Sequence, residues 1–578
     1  MFQPLALRPG VVKDVTSYAA EGGYADSNLI RFWQGSVESM GGWEDMSVLN
    51  PTLLGVPRSA ETWKNHAGQS IVAVGTNSKL YVYVDGRTYD ITPIRLTLNP
   101  APSNPIVTLI GSSTITITAT AHSANVGDYV TISNATSIAG LNVNGNWQIT
   151  AVVGLNTIEI QHTAQAASTE VGGGTAVKLE FEIGVGGNSN ATSGGWGTGT
   201  WGTGTWGTAR TVTTSGVLAL RTWMLQNWGE DLLAMPKGGD LYVWDATAPG
   251  ARATKVTFAP HGDFFQISPS DGHVIVFGAE GNQRLMKWCD TMDYTTWTGG
   301  TSGSIFLTAG VSFSGAAKVG NEILVWDNSG TLYRLRYIGD ELVFSFLPFA
   351  TNVQLLTPAS VVVYSDKAYW LGNRMVYMYD GNISAIQCPV IDYMHRRLNT
   401  AQKEKIIGGS ITKYGELIWF YPSGPENDSY IKFSTLLNVW DIGELARTAW
   451  TDGGAFAYPI GAAANGRLYF HERGVLAAGE VMPSYLTTAY TDLDEGGQVT
   501  FLRRVMGDVE GEVDFTIYTR RTAQGAATVR GPYRISGSAQ PDFAWVRARG
   551  RQMAFKFSGA GFWRLGKCQL DYSAEGAQ

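Results

Sequence analysis

Short runs in which aliphatic and aromatic residues follow one another recur along the chain: "LYVY" at 80–83, "LYVW" at 241–244, "VIVF" at 274–277, "ILVW" at 323–326, "AYWL" at 368–371, "LIWF" at 417–420 and "RLYF" at 467–470. From Val274 onward the starts fall 49, 45, 49 and 50 residues apart. A run of about four apolar residues bounded by turn signals reads as a strand buried on both faces, and a period near 50 suits one four-stranded propeller blade per repeat. Asp85-Gly86, Asp271-Gly272 and Asp380-Gly381 stand beside these runs, where blade hairpins need turns.

The texture changes between Ile94 and Arg210. Residues 104–185 alternate Thr, Val, Ile and Ala with few charges, and Val126-Gly127-Asp128 and Asn144-Gly145-Asn146 read as hairpin turns. The expectation is an all-β chain: a β-propeller-like body, an inserted small β-barrel or sandwich domain, and a C-terminal β-sandwich. The expected division is 1–100 for the first part of the propeller body, 101–186 for the insertion, 187–210 for a Trp/Gly/Thr-rich loop, 211–485 for the rest of the body and 486–578 for the sandwich. One helix is expected at 391–406, where polar and apolar residues mix after Pro389.

Composition supports this picture. Among 578 residues, 44% are hydrophobic, 11% aromatic and only 16% charged, with 70 glycines for turns. Three cysteines in no CxxC spacing suggest neither a disulfide framework nor a zinc site. The first residues have no apolar signal region, and no apolar stretch approaches membrane-spanning length, so synthesis in a cytoplasm without export or a membrane anchor is expected. Net charge is −7. Residues 501–578 hold 12 basic and 7 acidic residues, or +5, leaving −12 for the remainder. That balance argues against a protein that grips nucleic acid through its phosphates, though not against one that DNA slides past.

Candidate chemistry is sparse. The seven histidines (His66, His122, His162, His261, His273, His395 and His471) show no HxxxH spacing, and there is no GxSxG elbow or P-loop. Asp492, Asp494 and Glu495 resemble half a calcium loop, but the twelfth position from Asp492 is Arg503, so an acidic turn is expected. "CDTMDYTTWTGG" at 289–300 partly resembles the Asp-box turn of sialidase-type propellers, with Asp293, Thr296 and Trp297, but lacks its glycine; a turn with a packed tryptophan is expected. Basic clusters lie at His395-Arg396-Arg397, Arg503-Arg504, Arg520-Arg521 and Arg547, Arg549 and Arg551. In "GWGTGTWGTGTWGT", Trp196, Trp201 and Trp206 stand five apart, so an extended strand points them to alternate faces. The reading favoured is a loop whose rings anchor on an adjacent subunit or partner.

Arg8-Pro9-Gly10, the segment Tyr18 to Asp26, Leu29 to Phe32 and Gly41-Gly42-Trp43 together resemble the opening of tail nozzle (tail tubular or tail hub) proteins of short-tailed, podovirus-type phages. "FWRLG" at 562–566 and the Trp-Gly run resemble them more loosely. The resemblance implies a homo-hexameric ring below the portal and adaptor, assembled in the host cytoplasm and carried in the virion tail. It also implies docking surfaces for tail fibres or spikes, and a channel that retains and then conducts DNA without specific binding. No enzymatic activity, cofactor or metal is expected. The alternative is a receptor-binding or polysaccharide-degrading tail protein with a sugar-binding propeller.

Overall fold

The computed structural model describes residues 2–16, 19–46, 52–189, 219–307, 310–339, 342–493, 498–536 and 543–577. The chain is all-β with a β-propeller body. Among the described residues there are seven blades, numbered here in chain order, and two further β modules. Two compact units emerge from the packing. One comprises 1–52, 266–272 and 306–578, the other 53–265 and 273–305.

In the second unit, blade 1 is built from Pro57–Lys64, Ser70–Thr76, Leu80–Val84 and Arg87–Asp90, each antiparallel to the next. Asp85 and Gly86 both take positive φ in the expected tight turn. Blade 2 runs from Trp223 to Lys255, and blade 3, from Phe264 to Phe306, lies largely in the same unit. Trp63 and Trp244 meet edge-on at 6.4 Å in the core shared by blades 1 and 2.

The inserted domain is an eight-stranded sheet within residues 94–182. The alternation at 114–118 does what it predicts: Ile115 and Ile117 are buried while the intervening Thr116 is not. Together with Val130, Ile132, Ile158, Ile160 and Phe181 they form the domain's own core. Asn144-Gly145-Asn146, expected as a hairpin turn, instead opens the strand Gly145–Gly154. Asn144 bonds Ala135 through its side-chain amide, leaving Gly145 free to pair with Ile132.

In the first unit, blades 4, 5 and 6 span Phe313–Ala350, Val362–Ile386 and Ile407–Glu444. Blade 7 takes Ala449–Thr451, Ile460–Ala462 and Leu468–His471 from late in the chain, and its next strand, Trp43–Asp45, from near the beginning. The expected helix ends early. Ile391–Arg397 is helical, Leu398 turns extended, and Thr400–Lys405 continues as a 3-10 segment. Asp14, 378 residues away, supplies the helix's N-terminal partner by accepting from the Asp392 and Tyr393 amides at 2.8 and 2.7 Å.

An eleven-stranded sheet system forms the C-terminal module. Its axis is the 23-residue strand Gln498–Arg520, which pairs with Trp563–Ala577 and Phe543–Gly550 along its first part and with Gln552–Gly559 and Thr528–Ser536 along its second. Strands expected in the propeller body belong here instead. Ile30–Trp33 pairs Ser36–Ser39, which pairs Trp563–Ala577, and Tyr24–Asn28 pairs Ser484–Thr488. Pairings across more than 400 residues leave no local mark in the sequence, so the expectation that the body starts at residue 1 misses that Tyr24–Asn28 and Ser36–Ser39 join the C-terminal sheets and that the earliest blade strand is Trp43–Asp45 of blade 7.

Candidate functional site

The segment that carries the resemblance is tied into both the C-terminal sheets and the late blades of the first unit. Its strand Ile30–Trp33 lies in the C-terminal sheet system, while its single arginine points into blade 6. Arg31 is 1% exposed. Its guanidinium donates to Glu416 at 2.8 Å and in a two-pronged pair to Glu472 at 2.9 and 3.0 Å, and lies 3.3 Å from the centre of the Tyr414 ring. Lys432, fully buried, donates to the other Glu416 oxygen at 2.7 Å and to the Ile30 carbonyl at 3.1 Å, and sits 3.2 Å from Asp441.

This cluster holds two basic and three acidic side chains. Burial pushes the Asp441 carboxyl up to about 7 despite Lys432 beside it. Burial acts the same way on Glu416, but Arg31 and Lys432 together outweigh it and hold Glu416 below the usual carboxylate range. Two cations then balance two carboxylates, with Asp441 the neutral fifth member below about pH 7.

Gly41-Gly42-Trp43 follows from the same logic of close approach. A Cβ on Gly42 would meet the Leu476 carbonyl oxygen at 2.3 Å, and one on Gly41 would meet the Glu472 Cα at 2.6 Å. The Gly41 amide also donates to Glu472 at 3.1 Å. Trp43 then pairs with His471 in blade 7, and its ring packs tilted against the imidazole at 5.5 Å. Arg447 donates through Nε to His471 Nε2 at 2.8 Å. Burial and that guanidinium push the imidazole far below its ordinary value, so it stays neutral. Gly10 belongs to the same clasp, because its backbone lies against Val439 and Val11 donates to the Trp440 carbonyl at 2.7 Å. "FWRLG" closes the other side: Trp563 is buried and donates to Ser484 Oγ at 2.8 Å, and Arg564 holds Glu38 at 2.8 Å.

The second unit has a counterpart. Lys79 of blade 1, fully buried, donates to Glu182 and Asn146 of the inserted domain at 2.5 and 3.0 Å and to Asp90 at 3.1 Å. Arg252 completes the set, 2.6 Å from Asp90 and 3.1 Å from Glu182. Burial raises the Glu182 carboxyl above its ordinary range even with Lys79 against it. Neither network was legible in the sequence, since single charges inside apolar strands look the same whether buried or exposed.

The other expected residues are distributed as follows. Trp196, Trp201 and Trp206 lie outside the described residues, as do Asp494 and Glu495. The Asp492 amide donates to Glu21 at 2.8 Å, so this end of the acidic turn is tied to the clasp. Asp293 accepts from the Thr295 amide and hydroxyl, and Trp297 is buried, which makes 289–300 the expected turn with a packed tryptophan. His66 faces Glu230, His122 stacks on Phe181, His162 packs on Trp147, and His273 contacts Thr301. Among the described residues no group of three His, Cys, Asp or Glu side chains is placed to hold a metal ion. Of the basic clusters, Arg396 reaches Asp14, Arg397 reaches Glu444, Arg504 grips Asp571 and Arg520 stacks on Tyr490.

No family model matches the sequence, and no curated protein matches it. Similar solved structures include a computationally designed protein, Ika8, at 10% identity and a TM-score of 0.29, covering 73% of this chain and 97% of that one. Phage phi92 endosialidase is similar at 10% identity and a TM-score of 0.19, covering 71% of this chain and 63% of that one. BBS1N, solved in complex with ARL6DN, gives 10% identity and a TM-score of 0.25, covering 71% and 99%. At these scores none of them informs what this chain does.

Proposed function

We propose that this chain is a structural subunit of the tail of a short-tailed phage, a ring-forming nozzle that retains and then conducts the genome and offers docking surfaces to fibres. The observation that carries the reading is the clasp. The forty residues that resemble the openings of nozzle proteins are those that join the C-terminal sheets to blades 6 and 7, through Arg31 and through the strand Trp43–Asp45. A chain that must keep its shape beside a pressurised genome gains from having its first residues locked into its last strands.

The charge distribution agrees with a conduit. A net charge of −7 repels the phosphate backbone, whereas a basic lining would bind it through counterion release. In this reading the chain acts by assembly and not by turnover, with copies of itself, a portal or adaptor ring and fibres as partners, in the virion tail. Trp196, Trp201 and Trp206 serve as subunit or partner anchors. Imaging the purified chain after mixing with a phage portal tests the proposal: a ring seated coaxially on the portal supports it, and two non-interacting species oppose it.

A further inference from the structure

Two strands of the C-terminal module end their sheets side by side. Thr528–Ser536 and Phe543–Gly550 both pair with the long strand Gln498–Arg520, the first along its later part and the second along its earlier part. Between them lies an open groove of about 560 Å3 lined by Arg530, Tyr533, Trp545, Val546 and Arg547.

Three features distinguish this groove. The first is charge left unanswered. The other arginines of these strands have acids: Arg534 holds Glu512 and Asp514 at 3.1 and 3.0 Å, and Arg549 holds Glu575 at 2.5 Å. Arg530 and Arg547 have no acid among the described residues. The second is the backbone. Leu502 pairs with Ala548 and Arg504 with Trp545, so two residues on one strand oppose one on the other, and Arg547 takes the left-handed φ of 47° in this bulge. A bulge re-aims a side chain, and a strained non-glycine residue costs free energy that its neighbours must supply.

The third is the aromatic platform. Trp545 is 56% exposed yet is not loose. Arg504, gripped by Asp571 through Nε and a terminal nitrogen at 2.9 and 2.7 Å, lies 5.2 Å from its ring centre, and Phe543 packs edge-on at 5.8 Å. Tyr533 is fixed by its hydroxyl, which donates to the Val546 carbonyl at 2.8 Å.

Strand addition does not suit these edges, because Pro532 lacks an amide and the bulge breaks the ladder. An exposed indole that shares its groove with two arginines suits a ring that offers one apolar C–H face and bears a carboxylate. A nucleic acid strand calls for successive stacking platforms and a track of cations, whereas this groove offers one exposed indole and two arginines. We infer that this groove is a binding site for an acidic saccharide, with Trp545 stacking on the C–H face of the sugar and Arg530 and Arg547 taking its carboxylate. The inference stands independently of the tail reading.

Titration calorimetry of the full chain against short galacturonate and sialate oligosaccharides, their neutral counterparts and a short oligothymidylate tests it. Saturable binding of an acidic sugar is expected. Trp545→Ala and, separately, Arg547→Gln should each weaken it by about tenfold or more while leaving the melting temperature unchanged, since both side chains are exposed. Arg530→Gln is a third variant that spares the bulge. Equal binding of neutral sugars, tighter binding of oligothymidylate, no binding of either acidic sugar, or binding indifferent to these variants would each overturn the assignment.

Discussion

Arg31 and Glu416 meet at 2.8 Å with both side chains almost wholly buried, joining a strand of the C-terminal sheet system to the second strand of blade 6. Removing one partner of such a pair strands the other in a low-dielectric interior. Arg31→Ala should therefore destabilise the chain by about 3–5 kcal/mol, read as a lower denaturant midpoint. Arg31→Met with Glu472→Gln should recover part of the loss, because Lys432 still pairs with Glu416 and the carboxylate that Arg31 held in its two-pronged pair no longer carries a buried charge.

Asp441 gives the same cluster a pH signature. Its carboxyl holds a proton in the folded state up to about pH 7, whereas the unfolded chain releases it near pH 4, so its contribution to stability falls as pH rises through that window. Glu416, depressed, acts in the opposite sense and only on the acid side of its unfolded value. Asp441→Asn should remove the downward slope between about pH 4 and 7, read as unfolding free energy against pH beside the parent chain.

His471 works in the other direction. Its folded-state value lies below that of the unfolded chain, so its contribution is complete above about pH 6.5 and is lost as pH falls. His471→Gln should be less sensitive to acid between pH 6.5 and 5 than the parent, as followed by thermal melts at each pH.

Gly42 tests the closure of blade 7. Gly42→Ala forces a methyl group onto the Leu476 backbone, where no flexible side chain can give way. The expected cost is about 1–3 kcal/mol, with amide exchange rising first in Trp43–Asp45 and Leu468–His471. Uniform exchange across the unit would contradict this placement.

The regular spacing was legible for a physical reason that also shows where it stops. "VIVF", "ILVW", "AYWL" and "LIWF" lie in the second strands of blades 3 to 6, sandwiched between neighbours and therefore continuously apolar. "LYVY" and "LYVW" mark third strands of blades 1 and 2, and "RLYF" marks the third strand of blade 7, whose second strand is the short Ile-Gly-Ala. The last 50-residue interval thus joins different strands of different blades. The insertion was readable because Ile115, Ile117, Ile158 and Ile160 alternate with polar residues. Arg547 was visible as one of a basic trio, but nothing local separates it from Arg549, since only the fold gives one an acid and leaves the other facing a groove.

Assembly is the heart of the proposed function, and native mass spectrometry of the purified chain tests it most directly. A discrete six-fold species is the predicted result, and Trp201→Ala should reduce it without lowering the melting temperature. A stable monomer that cleaves capsular polysaccharide would contradict the account.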